Sequence, residues 1–309
     1  MESKKLIVTA SPHITNHTST RGLMLNVCIA LLPALVASTL IFGARALLVT
    51  GVTVAACVGF EALYCVVMKK PVPVGDFSAV VTGMILAFNL PATIPLWIAI
   101  IGAFVAIVVA KQLFGGLGFN FANPALLGRI VLFIGFAGRM TAYAFPQTDI
   151  DALASATPLV AGNSMAGKDM LQLLLGAHGG VLGETCAVAL ILGGIYLIAT
   201  KTISAAIPLS YIGTVAVLSL VLGQDVVLQL FSGGLLLGAF FMATDYVTSP
   251  FTFTGRIVYG VCLGVITCII RFYGNMAEGV SFALLLMNLL VPYINDLTRQ
   301  KPLGGAKAK

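Results

Sequence analysis

Three acidic segments and one hydroxyl carry most of the chemistry this sequence could do. Asp151-Ala-Leu-Ala-Ser-Ala-Thr157-Pro-Leu159 is a short acid-led stretch of small residues with a hydroxyl just before a proline. The proline holds Thr157 extended and open to a modifying enzyme; the bland alternative, since Thr before Pro is common, is a plain turn. Glu61 stands between Phe60 and Ala62 inside an apolar run. A carboxylate at mid-bilayer is costly, so it lines a cavity or ion path or has a partner; the bland alternative is an acid snorkelling toward Lys69-Lys70. Asp245, in Phe241-Met-Ala-Thr-Asp-Tyr-Val-Thr-Ser-Pro250, lies where another apolar run breaks down. Polar groups at a broken helix can satisfy a ligand or an ion. Asp76 and Glu184 stand at expected helix starts, where the helix dipole favours an acid. Arg129 is positioned to hold an anion or phosphate, or to reach the cytoplasmic surface.

Other chemistries are excluded. Cys28, Cys57, Cys65, Cys186, Cys262 and Cys268 all fall in apolar runs, with no C-x-x-C pair and no histidine at ligand spacing. They read as small buried hydrophobes, and no metal site is expected. His13, His17 and His178 are scattered, and no phosphate-binding loop, dinucleotide fingerprint or hydrolase triad occurs. Redox or energetic input must therefore come from partners or a bound cofactor, and no residue is assigned a catalytic role.

The elements that position these groups follow from composition. Of 309 residues, 59% are hydrophobic and 9% charged, whereas about a quarter are charged in soluble domains. The chain is an all-α polytopic membrane protein surrounded by lipid. Its net charge of +6 is then informative through its distribution among loops and does not indicate a nucleic-acid partner. No cleavable signal peptide is evident, because the first apolar run is as long as a full span.

Charge-free runs predict spans over residues 22–44 and 46–68. The 34 uncharged residues between Asp76 and Lys111 would reach about 51 Å as one helix, too long for the bilayer core. Pro91 and Pro95 break them into a short span ending near Asn89 and another from Leu96 to Ala110. A short fifth span reaches Phe136, and five more are expected near 181–199, 203–222, 228–243, 257–271 and 279–295.

With about ten transmembrane helices both termini share a side. Alternating the loops gives that side thirteen cations and the other side four, Arg45, Arg139, Lys168 and Arg271. The positive-inside rule makes the termini cytoplasmic. Gly118-Phe-Asn-Phe-Ala122 recurs 161 residues later as Gly279-Val-Ser-Phe-Ala283, each after an apolar run closed by a cation and then glycine. Five spans per half, an odd number, predict two inverted five-helix repeats with short or broken helices meeting near the midplane. The expected organisation is a cytoplasmic segment (1–21), a first repeat (22–137), an extracytoplasmic loop (138–180), a second repeat (181–296) and a basic cytoplasmic tail (297–309).

Ser11-Pro-His13, Phe60-Glu-Ala62, Gly118-Phe-Asn-Phe-Ala-Asn-Pro-Ala-Leu126, Ser155-Ala-Thr-Pro-Leu159 and the Phe241 to Pro250 segment together resemble the RnfD/NqrB family, over about residues 7 to 296. The short N-terminus resembles the RnfD branch more. The resemblance implies a membrane subunit of an ion-translocating ferredoxin:NAD oxidoreductase in a bacterial or archaeal cytoplasmic membrane. It implies an FMN joined through its phosphate to Thr157 by a flavin transferase, with Asp151 as the leading acid and Ser155 within the recognition motif. Ala154 and Ser155 depart from the usual hydroxyl-then-glycine pattern. It further implies iron–sulfur and flavin partner subunits, a noncovalent riboflavin whose contacts no motif fixes, and ion-path roles for Glu61 and Asp245. The competing expectation is a stand-alone inverted-repeat solute channel of urea-transporter type, which has no use for a flavinylation motif.

Overall fold

A computed structural model describes residues 19–143, 174, 176, 179–184, 186–274 and 279–299. Thr157, Ser155 and Asp151 lie outside the described residues. Among those described, the elements are helical, as the composition predicts. Helix α1 (Thr20–Phe42) starts at Ser19, whose Oγ accepts from Gly22 N at 3.2 Å, satisfying one of the helix's unpaired donors. Gly43, at φ +74°, ends it and turns the chain directly into α2 (Ala44–Val67). That backbone state suits glycine and would strain most other residues.

Then come α3 (Ser78–Phe88), α4 (Leu96–Phe104, continued as the π-helix Val105–Gln112), α5 (Pro124–Gly135) and the single turn α6 (Ala137–Met140). Asn123 caps α5, with Pro124 in the first turn where a missing N–H costs nothing. The second series is α7 (Ala187–Ala199), α8 (Ala206–Val221), α9 (Val226–Phe231), α10 (Leu235–Leu237, continued as the π-helix Gly238–Met242), α11 (Phe253–Tyr273) and α12 (Gly279–Thr298).

Helices α1, α2, α11 and α12 are long and apolar enough to cross a membrane. The 11 residues of α3 reach only about 16 Å, half the hydrocarbon core. The expected short third and fifth spans are present. The continuous span expected over 228–243 is not. Gly233 and Gly234 take φ of +73° and +67° and break it into α9 and α10. The span expected from 181 starts instead at Ala187, because Leu182 and Gly183 donate to the carbonyls of Leu90 and Phe88 at the end of α3. Shifted by 161 positions, α1, α2, α3, α4 and α5 fall on α7, α8, α10, α11 and α12, the helix order expected of a repeat.

α2 packs on α3 and α4, α8 on α11, and α1 on α7 across the halves. The α8–α11 contact depends on Gly260 and Gly264, spaced as in close-packed membrane helices. A Cβ on Gly264 would sit 2.6 Å from Thr214 Cβ. Gly264→Val is therefore expected to destabilise the protein by about 1–3 kcal/mol through overpacking, measured as a lowered unfolding temperature in detergent.

Candidate functional site

The two helix series enclose a cavity at the end of the bundle where α1 begins. The space it opens onto is about 750 Å³, open solvent at the mouth included. The apolar wall includes Met24, Val27, Leu197, Phe240 and Phe241; the polar wall includes Ser78, Thr82, Lys111, Asn120, Asn123, Thr244 and Asp245. Most polar members come from helix ends or from the connections α4–α5 and α10–α11, where backbone groups leave the helical ladder.

Glu61 is fully buried on α2. Lys111, near the end of α4 and 2% exposed, donates from Nζ to Glu61 Oε1 at 2.6 Å and to Ser78 Oγ at 2.6 Å. Gln112 Nε2 donates to the same Glu61 oxygen at 2.9 Å. Both donors belong to the π-helical end of α4, a winding that recurs at functional sites. Glu61 is thus neither a snorkelling acid nor an isolated ion ligand: it is half of a buried ion pair. Lys111 is not the surface cation that the loop count makes it, since a cation closing an apolar run reads in sequence as a loop residue.

Asp245 lies just beyond α10, where the helix gives way as predicted, and faces the cavity. Its carboxylate accepts from Thr248 Oγ1 at 3.1 Å. Tyr246 beside it donates its hydroxyl to the Thr202 carbonyl, tying the α10–α11 connection to the α7–α8 connection. Glu61 and Asp245 therefore flank one cavity, Glu61 through Lys111 and Asp245 directly.

Arg129 reaches no surface. It is 5% exposed and donates from Nη1 to Asn89 Oδ1 at 2.8 Å and to Ser281 Oγ at 2.6 Å. The spans fold it inward because α5 is too short to carry it to the membrane edge. With Lys111 and Arg129 removed from the loop count the imbalance becomes eleven against four, in the same direction. Glu184 is likewise not in the first turn of a helix: it lies in the turn before α7 and accepts from Gly233 N ahead of α10. Arg271 closes that region, donating to the carbonyls of Gln229, Ser232 and Gly233 at 2.7, 3.0 and 3.1 Å. Asp76 does stand at its helix start, accepting from Ser78 N at 2.8 Å. Cys57, Cys65 and Cys268 are buried and unbridged, and no metal-binding cluster occurs among the described residues.

Residues 7–304 match the NQR2, RnfD, RnfE family. The chain is 46% identical to the D subunit of the Na⁺-translocating ferredoxin:NAD⁺ oxidoreductase complex of Acetobacterium woodii, covering 100% of this chain and 98% of that one. It is 38% identical to the D subunit of the proton-translocating ferredoxin:NAD⁺ oxidoreductase complex of Clostridium ljungdahlii, covering 96% of each. It is 37% identical to the D subunit of the ion-translocating oxidoreductase complex of Stutzerimonas stutzeri, covering 93% of each. Matches of this extent leave no part of the helical core unaccounted for, and the chain belongs to the NQR2, RnfD, RnfE family of membrane proteins.

Proposed function

We propose that this chain is the D subunit of an Rnf-type complex, passing electrons through a covalent FMN on Thr157 and a noncovalent riboflavin while the complex moves Na⁺ or H⁺ outward. The observation that carries the reading is the end-to-end similarity to the D subunits of ferredoxin:NAD⁺ oxidoreductases. It is joined to an acid-led Ser155-Ala-Thr157 motif in the loop of 138–180, which the cation count assigns to the outer face. Electrons from reduced ferredoxin would arrive through partner iron–sulfur and flavin subunits. The termini are cytoplasmic in this reading, and a flavin transferase acts on Thr157 outside.

The lining of the cavity fits the second flavin in its donor set. Asn120, Asn123 and Lys111 supply groups that could meet the carbonyl and imide edge of a flat heterocycle, and Phe240, Phe241 and Met24 supply apolar surface for its rings. Bound there, a riboflavin would supply one-electron carrying capacity. The residues of this chain would orient it and exclude water.

The test is in-gel flavin fluorescence and intact mass after expression with a flavin transferase. Wild type is expected to fluoresce after denaturation and carry an added FMN-phosphate mass, and Thr157→Ala to lose both. A wild type without flavin despite an active transferase would overturn the reading.

A further inference from the structure

One hydrogen-bonded chain links a half-buried acid ahead of α3 to the cavity wall and to buried Glu61. Asp76 is half-buried just before α3. Ser78 Oγ donates to Asp76 Oδ1 at 2.6 Å, Lys111 Nζ donates to Ser78 Oγ at 2.6 Å, and Lys111 Nζ donates to Glu61 Oε1 at 2.6 Å. Ser78 and Lys111 both line the cavity. Glu61 Oε2, fully buried, has no hydrogen-bond partner among the described residues.

A purely structural pin accounts for the ion pair but for little else. It needs no surface acid in series with it, and it does not benefit from a buried carboxylate oxygen left unsatisfied, which is destabilising. A proton path needs both ends. A hydroxyl that donates and accepts at once and an ammonium with three protons can pass a proton along by exchange.

We propose that Asp76, Ser78, Lys111 and Glu61 form a proton relay that delivers one proton to Glu61 when one electron enters the adjacent cavity. The inference rests on the reading that this cavity holds a redox cofactor. The electron leaves a reduced iron–sulfur donor and adds one negative charge beside Lys111. Lys111 gives a proton to Glu61, forming an O–H bond there, and is left neutral. A hydronium ion of the solvent gives its proton to the Asp76 carboxylate; the Ser78 hydroxyl turns from Asp76 to Lys111, gives Lys111 its proton and takes the one on Asp76, which is left a carboxylate as before. Lys111 ends as an ammonium, now facing the added charge in place of a carboxylate. The buried net charge is unchanged, which matters because an uncompensated charge is costly in the interior. This proton balances the electron and is distinct from the ion the complex translocates.

The ionisable groups around Glu61 are Lys111 from α4 and, one turn to either side on α2, Cys57 and Cys65, with Lys70 beyond Cys65 and Asp76 beyond Ser78.

The experiment is infrared difference spectroscopy of the intact complex in liposomes during reduction, with flavin bleaching followed in parallel. Wild type is expected to show a protonated-carboxyl band that Glu61→Gln lacks. Ser78→Ala and Asp76→Asn should slow its appearance on the order of a hundredfold, the usual scale of a lost proton-transfer group, and in Asp76→Asn, which does not line the cavity, the extent of bleaching persists. Ser78→Thr, which keeps the hydroxyl, should restore the rate. Should Ser78→Ala fail to assemble, Asp76→Asn, outside the cavity lining, carries the same test. A band that survives Glu61→Gln, or that forms at the wild-type rate in Asp76→Asn, overturns the relay. Bleaching of a bound noncovalent flavin with no carboxyl band in wild type overturns the relay alone, whereas a wild type with no such flavin overturns the cavity reading together with the relay.

Discussion

Lys111→Met is expected to destabilise the protein by about 3–5 kcal/mol, the scale for removing one partner of a buried ion pair. The loss has two sources. Glu61, fully buried, keeps one neutral donor, Gln112 Nε2, against a charge that water cannot reach. Ser78 loses the ammonium that joins the start of α3 to the end of α4. Glu61→Gln should be milder, because the amide oxygen still accepts from Lys111. The double variant Glu61→Leu/Lys111→Met should recover much of the loss, since replacing both members of a buried pair by apolar groups is often close to neutral. Unfolding temperatures of the purified complex in detergent measure all three. A Lys111→Met protein no less stable than the double variant would mean that the pair contributes nothing through its charge.

That pair also shows what the sequence could not disclose. The run around Glu61 marks a buried acid in need of a partner, but the partner lies 50 positions away at the end of another apolar run. There a lysine looks like any cation flanking a span, and only the π-helical winding of α4 carries it inward. Span order is legible because charge-free runs must be helical in lipid and because Pro91 and Pro95 rule out one over-long helix. The break between α9 and α10 is less so. Ser232-Gly233-Gly234 sits in an otherwise apolar run, and glycines are tolerated within membrane helices. Asp245 is found where the pattern puts it, since the polar residues after Met242 mark the end of the helix. Its position opposite Lys111 across one cavity depends on how two halves pack, which no local pattern encodes.

Arg129→Met is expected to cost about 2–5 kcal/mol, because Asn89 and Ser281, both buried, each lose a charged donor, and to loosen the two halves from one another. The guanidinium belongs to α5 of the first half and reaches Ser281 in the first turn of α12 in the second. Asn89, which it also contacts, ends α3, and the Asn89 amide in turn donates to Ile85 O at 2.6 Å and touches Met242 Sδ at 3.7 Å at the end of α10. From the middle of α5, one side chain thus ties together three helix ends, those of α3, α10 and α12. Arg129→Lys separates geometry from charge. An ammonium is a point donor without the guanidinium's planar fork, so it should hold Asn89 or Ser281 less well and give an intermediate stability. Thermal unfolding in detergent, together with proteolysis between residues 138 and 180, reads both effects. Faster cleavage there with a lowered unfolding temperature is the expected result for Arg129→Met. A lysine variant as stable as wild type would show that charge alone holds the junction, and a methionine variant as stable as wild type would remove Arg129 from it.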